Sequence, residues 1–267
     1  MSIIKDQEKF FNEHSLHEQK VQLRGFFNRY VNKEQVNSLK WISDCKIILE
    51  YGCGTGTSLD VFFNKRNRNK YTIFGVDIAA RAIEKAKERY PEFVFYKISN
   101  NKMPQIKNNS LDAAFMFHVL HHTNNYLDIF KEINAKLKKG GKFLINDLSS
   151  NNPINKTARS LFLHMPFFVK NKFGDDLVVG ESIPEKNKVD LSRVVKQLGT
   201  AGFIVEEIGY GHLFFFVFGW IEMFIPLSGF SIVRSFYKRL WRLEDILLQK
   251  KFFQSKSELF YIKAIKK

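Results

Sequence analysis

The sequence predicts an α/β protein: a parallel sheet with helices packed over both of its faces. Two patterns carry that prediction. From residue 46 onward, short β-branched or aromatic runs alternate with helical stretches. These runs are apolar almost without a break, as strands buried on both faces must be. A third sign is the stretch EYGCGTGTS, which sets three glycines directly after the first run.

The elements follow in order. Residues 1–45 read as polar-faced helices, with Phe10, Phe26, Val31 and Trp41 among Lys, Glu and Gln. Lys46–Tyr51 is a strand and Thr57–Lys65 a helix. Tyr71–Asp77 is the second strand; Ala79–Tyr90, rich in Ala, Lys and Glu, is a helix that Pro91 stops. Phe93–Ile98 and Leu111–Phe117 are strands, and Asn125–Leu137 is a helix. Gly140–Gly141 turns the chain into the strand Lys142–Asp147. Residues 148–189 break the rhythm as a loop-rich insertion. A helix at Leu191–Thr200 and a strand at Phe203–Ile208 come next. A second insertion spans 211–257, before Glu258–Ile265 closes the chain as a strand.

Composition narrows the class further. With 267 residues and 45% apolar content the chain can fill a globular core. Cys45 and Cys53 make no disulfide framework and no zinc-binding CxxC pair. The opening stretch lacks an apolar run of signal-peptide length, so a reducing cytoplasm is expected. Net charge is +15, which points to an anionic partner. Residues 231–267 hold 10 Lys/Arg against 3 Asp/Glu.

Gly52, Gly54 and Gly56 let the backbone turn sharply and approach a ligand, beside the free N–H groups of the next helix. A dinucleotide fingerprint needs glycine at 57 or 59, where Thr57 and Leu59 stand, so that spacing fails. Asp77 ends the neighbouring strand, where a carboxylate accepts from both hydroxyls of a ribose. Glu50 precedes the turn and can pair with an ammonium group. Two carboxylates repel a pyrophosphate but favour a cationic nucleoside.

On these residues the chain resembles the class I S-adenosylmethionine-dependent methyltransferases, in the branch acting on small molecules. LEYGCGTG is similar to their first motif and FGVDIA to their second. SLDAAFMFHVLHH, LKKGGKFLIND, LGTAGFIVEEIG and ELFYIKAIKK resemble their later strands. The resemblance implies a Rossmann-like, doubly wound sheet of seven strands, mostly parallel, with the last strand antiparallel and inserted between its neighbours. It implies S-adenosylmethionine as cofactor, held by Glu50 at the methionine amino group, by Gly52, Gly54 and Gly56, and by Asp77 at the ribose, with Ile78 beside it. Family members place an acid after the third strand against the adenine. Here KISNNKMP leaves Ser99, Asn100 or a backbone group for that task.

Ligands of such sheets lie beyond the carboxyl ends of the strands, where the fourth strand delivers His118, His121 and His122. Methyl transfer from a sulfonium needs an oriented acceptor and removal of its proton, a task that suits a neutral imidazole. His121 or His122 is the expected base, His118 a wall of the cofactor pocket, and Asp147 a second candidate for orienting the acceptor. The bland alternative is that a histidine of this pair only packs beneath the cofactor. A metal is discounted because no carboxylate stands at helical ligand spacing from these histidines.

The division into domains follows: a helical cap over 1–45 and a methyltransferase domain over 46–267, with a lid at 148–189 and a helical insertion at 211–257. Leu213–Val233 is 21 residues with one charge, Glu222, long enough for a bilayer core of about 30 Å. Both ends of the insertion return to one side of the sheet, and Pro226 and Gly229 split the run, so a membrane span is not expected. Residues 233–253 then interleave Arg234, Lys238, Arg239, Arg242, Lys250 and Lys251 with large apolar side chains. They form either an interfacial helix on anionic lipid or a lid helix whose apolar face covers the sheet. Both readings favour a hydrophobic or lipid-linked acceptor, O-methylation, and a cytoplasmic protein, peripheral on the inner face of the membrane in the first case. An RNA or tRNA acceptor is the first rival, since +15 suits phosphate. Against it, FHVLHHT replaces the Asn/Asp-Pro-Pro-aromatic box of base methylation, so no nucleic acid is expected. A cofactor-binding, non-catalytic membrane scaffold is the second rival.

Overall fold

The computed structural model describes residues 32–62, 68–123, 125–149, 189–214, 218, 222, 225 and 227–267. Most of the N-terminal cap and of the 148–189 insertion lies outside them. Seven strands make one sheet: β1 Ile47–Tyr51, β2 Thr72–Asp77, β3 Val94–Lys97, β4 Leu111–Phe117, β5 Leu137–Leu148, β6 Phe203–Gly211 and β7 Leu259–Lys266. Their order is β3-β2-β1-β4-β5-β7-β6. Strands β1 to β5 pair in parallel, and β7 runs antiparallel between β5 and β6. This is the Rossmann-like, doubly wound arrangement that the sequence leads one to expect.

Alternate residues of the central strands enter two separate cores, which is why their apolar runs are unbroken. Leu49, Ala114, Met116 and Ile145 join one core; Ile48, Ala113, Phe115 and Leu144 join the other. Over the first face lie α4 (Tyr126–Lys136) and α5 (Leu191–Thr200). Helix α4 turns Tyr126, Ile129, Phe130 and Ile133 inward at helical spacing, each contributing roughly 2 kcal/mol by burial. Asp190 caps α5, accepting from the N–H groups of Ser192 and Arg193, a contact worth about 1 kcal/mol. The second face is covered by α1 (Lys33–Leu39) and α3 (Ala80–Arg89), while α2 (Thr57–Phe62) follows the glycine turn.

Most boundaries fall within a residue or two of the sequence reading. The exceptions are β6, which runs three residues past Ile208 to Gly211, and β5, which departs furthest. The sequence reads Gly140–Gly141 as a turn, whereas the strand already begins at Leu137. Leu137 pairs with Leu111 and Lys142 with Ala113, so the surplus residues bulge out of a continuing strand.

In the 211–257 insertion, a single turn at Leu227–Gly229 leads into α6 (Ser231–Leu247), followed by the short α7 (Lys251–Gln254). Among the described residues no helix is long and apolar enough to cross a membrane.

Candidate functional site

The glycine turn joins β1 to α2 and is tied to β2, because the Gly52 and Cys53 N–H groups donate to the Val76 carbonyl (2.8 and 3.1 Å). Gly52 has φ +75°, and a side chain there would overlap a Val119 methyl group. Gly54 has φ +50° with open space where a Cβ would stand. Glycine is the residue for both conformations. The Gly54 N–H donates to Asp77 Oδ2 (2.8 Å), and the Ala79 N–H donates to Asp77 Oδ1 (2.9 Å). The carboxylate therefore braces the turn against the end of β2. Between this brace and the end of β4 lies a cavity of about 310 Å³, whose walls include Gly52, Gly54, Asp77, Ile78, His118 and His122.

Glu50 is not on the cavity wall. It lies fully buried beneath the turn, where burial pushes its carboxyl up to about 8; the Ser58 hydroxyl opposes the rise and Asp77 adds to it. Among the described residues its Oε2 has no hydrogen-bond partner. Burial also raises Asp77, against the three backbone N–H groups that favour its ionised form. A buried acid and a half-buried one thus lie close together, with no cation among the described residues to balance them, which fits a ligand carrying positive charge.

Residues 99–102 form a tight turn closed by the Lys102 N–H donating to the Ser99 carbonyl (3.1 Å). Asn100 and Asn101 both take positive φ, 51° and 60°, as the two central residues of a type I′ turn do. Asn101, rather than Ser99 or Asn100, lines the cavity, and its Oδ1 accepts from the Tyr51 hydroxyl (3.0 Å).

The chain leaves β4 through His118 at φ 56°, an uncommon conformation for a residue with a side chain. Its Nε2 lies 3.0 Å from Gln35 Nε2 on α1, and burial lowers its pKa. His122 lines the cavity, and burial followed by the neighbouring His121 lowers it to about 3, so it is neutral and weakly basic. His121 is partly exposed, with its ring centroid 3.8 Å from that of His122. Its Nδ1 meets Asp147 Oδ1 at 2.6 Å.

Asp147 is fully buried and also accepts from the N–H groups of Leu120 (2.6 Å) and Leu148 (2.7 Å). Burial opposes its ionisation, yet His121, His118 and the Leu148 N–H outweigh it and hold the carboxyl below its usual range. An ionised Asp147 accepts from Nδ1–H of His121, which leaves Nε2 as the basic nitrogen. Asp147 thus spends its oxygens on positioning His121 and the chain around it. His118, His121 and Asp147 also bring potential metal-ligating atoms within 4.8 Å of one another. The sequence looks for a carboxylate at helical spacing, whereas this one arrives from β5.

Sequence reasoning misses Gln35, Tyr51, Asn101 and Val119. Asn-Asn is a legible turn signal, and Tyr51 directly precedes the glycine turn. Nothing local marks Gln35 or Val119, whose roles depend on contacts across the fold.

A methyltransferase-domain family model matches residues 16–199. Among curated proteins none matches the chain. Solved structures share its fold at low identity. Geranyl diphosphate C-methyltransferase from Streptomyces coelicolor, in complex with Mg²⁺, geranyl diphosphate and S-adenosyl-L-homocysteine, is 12% identical with a TM-score of 0.59, over 100% of this chain and 99% of that one. The [4+2]-cyclase SpnF is 15% identical with a TM-score of 0.58, over 99% and 95%. Phosphoethanolamine N-methyltransferase 2 of Haemonchus contortus, in complex with S-adenosyl-L-methionine, is 17% identical with a TM-score of 0.56, over 96% and 60%.

Proposed function

The chain belongs to this methyltransferase-domain family, and we propose that it transfers the methyl group of S-adenosylmethionine to a small hydrophobic or lipid-linked acceptor, by preference at oxygen. The observation that carries the reading is a pair of carboxylates at a glycine turn against the cavity: Glu50, fully buried with an oxygen that has no partner among the described residues, and the half-buried Asp77. A cationic nucleoside favours their ionised forms; a dinucleotide phosphate opposes them. When bound, the cofactor supplies a methyl group made electrophilic by a sulfonium.

The chain's own residues would do the rest. Asp77 accepts from the ribose hydroxyls while still bracing Gly54. Glu50 ionises toward the methionine ammonium. Gly52 and Gly54 keep the backbone low enough for close approach. Ile78 packs against the nucleoside, and the turn over 99–102 closes the adenine end through Asn101, with Ser99 and Asn100 behind it. His118 and His122 stay neutral and form the wall. His121 takes the acceptor's proton at Nε2, held for that by Asp147. A lipid-soluble acceptor makes a peripheral location on the inner face of the membrane the natural one.

The test is incubation of the purified protein with labelled S-adenosylmethionine and a native membrane lipid extract, followed by mass analysis. A labelled lipid-phase product is expected; an extract left unlabelled in every fraction would overturn the reading. The rival RNA acceptor draws on the net charge of +15. Label passing to tRNA instead of lipid, with binding that weakens at graded salt, would favour it.

A further inference from the structure

We infer that the outward face of α6 docks the protein on an anionic lipid surface. A surface helix ordinarily turns its apolar stripe inward. Here the rotation of α6 is set by polar contacts on its inner side. Glu244 is buried and accepts from the N–H groups of Leu213 and Phe214 (2.9 Å each). The Tyr237 hydroxyl donates to Glu222 (3.0 Å), itself buried and held by Ser228. Arg234 donates to the carbonyls of Ser228 and Gly229 (3.1 and 2.9 Å). These contacts fix which way the rest of the helix points.

Outward point Ile232, Phe236, Leu243 and Ile246, which are 78, 52, 47 and 58% exposed. Their spacings of four, seven and three residues put them on one face, with Arg239 in the same row. Phe230 and Phe252, beyond either end of the helix, are also exposed. An apolar row of this kind left in water marks a docking surface.

Charge selects the occupant. Residues 231–256 hold seven Lys/Arg against two acids. One acid is the buried Glu244, and the other, Asp245, pairs with Lys33. Lys238, Arg239 and Arg242 are exposed beside the apolar row. A two-fold contact between copies would set these cations against each other. A nucleic-acid backbone would leave the isoleucines and leucine in water. Anionic lipid satisfies both chemistries, with apolar side chains in the acyl boundary and Lys/Arg at the headgroups. The inference rests on the proposed membrane-drawn acceptor for its use, while the docking itself needs no methyl transfer.

The experiment is flotation of the full chain with phosphatidylcholine vesicles containing or lacking phosphatidylglycerol, at low and high salt. Binding to the anionic vesicles that weakens with salt is expected. The triple variant Ile232→Ser, Phe236→Ser, Ile246→Ser should lose roughly tenfold or more of it, with calorimetric affinity for S-adenosylmethionine unchanged. As a positive readout, Ile246→Trp should shift its fluorescence to the blue on anionic vesicles. Wild-type protein that stays in solution, a triple variant that floats like wild type, or a wild-type dimer that the triple variant disperses would each overturn the inference. Vesicle binding without affinity for S-adenosylmethionine would sink the methyltransferase reading and leave the docking face standing.

Discussion

Glu50→Gln is the perturbation whose consequences follow most directly from the buried site. In the ligand-free protein the Glu50 carboxyl titrates near 8 instead of 4.5, because burial disfavours its charge. The unfolded chain exposes it to water, where it ionises near 4.5. Between these values the folded state holds a proton that the unfolded state has lost, so stability falls as pH rises. The slope is about 1.4 kcal/mol per pH unit, and the climb from 4.5 to about 8 amounts to about 5 kcal/mol. Glutamine has the shape of the protonated acid and cannot ionise. The variant should therefore match wild type near pH 4 and exceed it increasingly up to pH 8. Urea denaturation at intervals from pH 4 to 9 measures the difference directly.

The same substitution should weaken S-adenosylmethionine binding by roughly tenfold or more. Wild type should release close to one proton per ligand near pH 7, and the variant none, by calorimetry in buffers of different ionisation enthalpy. Parallel stability curves for the two proteins across this range would refute the reasoning, because Glu50 would then be charged and satisfied without a ligand.

Gly52→Ala should destabilise by about 3 kcal/mol, combining a left-handed backbone with overlap on Val119; adding Val119→Ala should recover the overlap part in urea titrations and leave the backbone part. His121→Gln should lower kcat about a hundredfold with the affinity for S-adenosylmethionine unchanged, and Asp147→Asn should lower kcat as well; unaltered turnover in both would remove the dyad from the mechanism. Asn146 is fully buried on β5, and among the described residues both atoms of its amide lack partners. Replacing it with leucine should therefore raise stability by about 1–3 kcal/mol in thermal melts, and a fall would show that the amide is paired.

The parts of this protein legible in its sequence are those set by neighbours in the chain. The glycine turn, the place of Asp77 at the end of β2 and the apolar runs follow from backbone conformation and two-sided burial, and the structure has all three. The extent of β5 is not legible, because Gly140–Gly141 has the composition of a turn and only pairing with β4 reveals a bulged strand. The His121–Asp147 contact joins residues 26 apart, and the sheet order that brings β4 beside β5 accounts for it. Gln35 meets His118 across 83 residues, with no local pattern to announce it. Helix α6 illustrates the deepest limit. Its sequence states that one face is apolar, and only the contacts of Glu244 and Tyr237 decide that this face looks outward.

A calorimetric titration with S-adenosylmethionine, run side by side on wild type and Asp77→Asn, bears most directly on the whole. The asparagine oxygen can still accept from the Gly54 N–H, so the turn keeps that half of its brace while the Ala79 N–H and the ribose lose a carboxylate oxygen. One saturable site in wild type, weakened roughly tenfold or more in the variant, is the expected result. No heat in wild type, or equal affinity in both proteins, would mean that the cavity between β1, β2 and β4 holds something else.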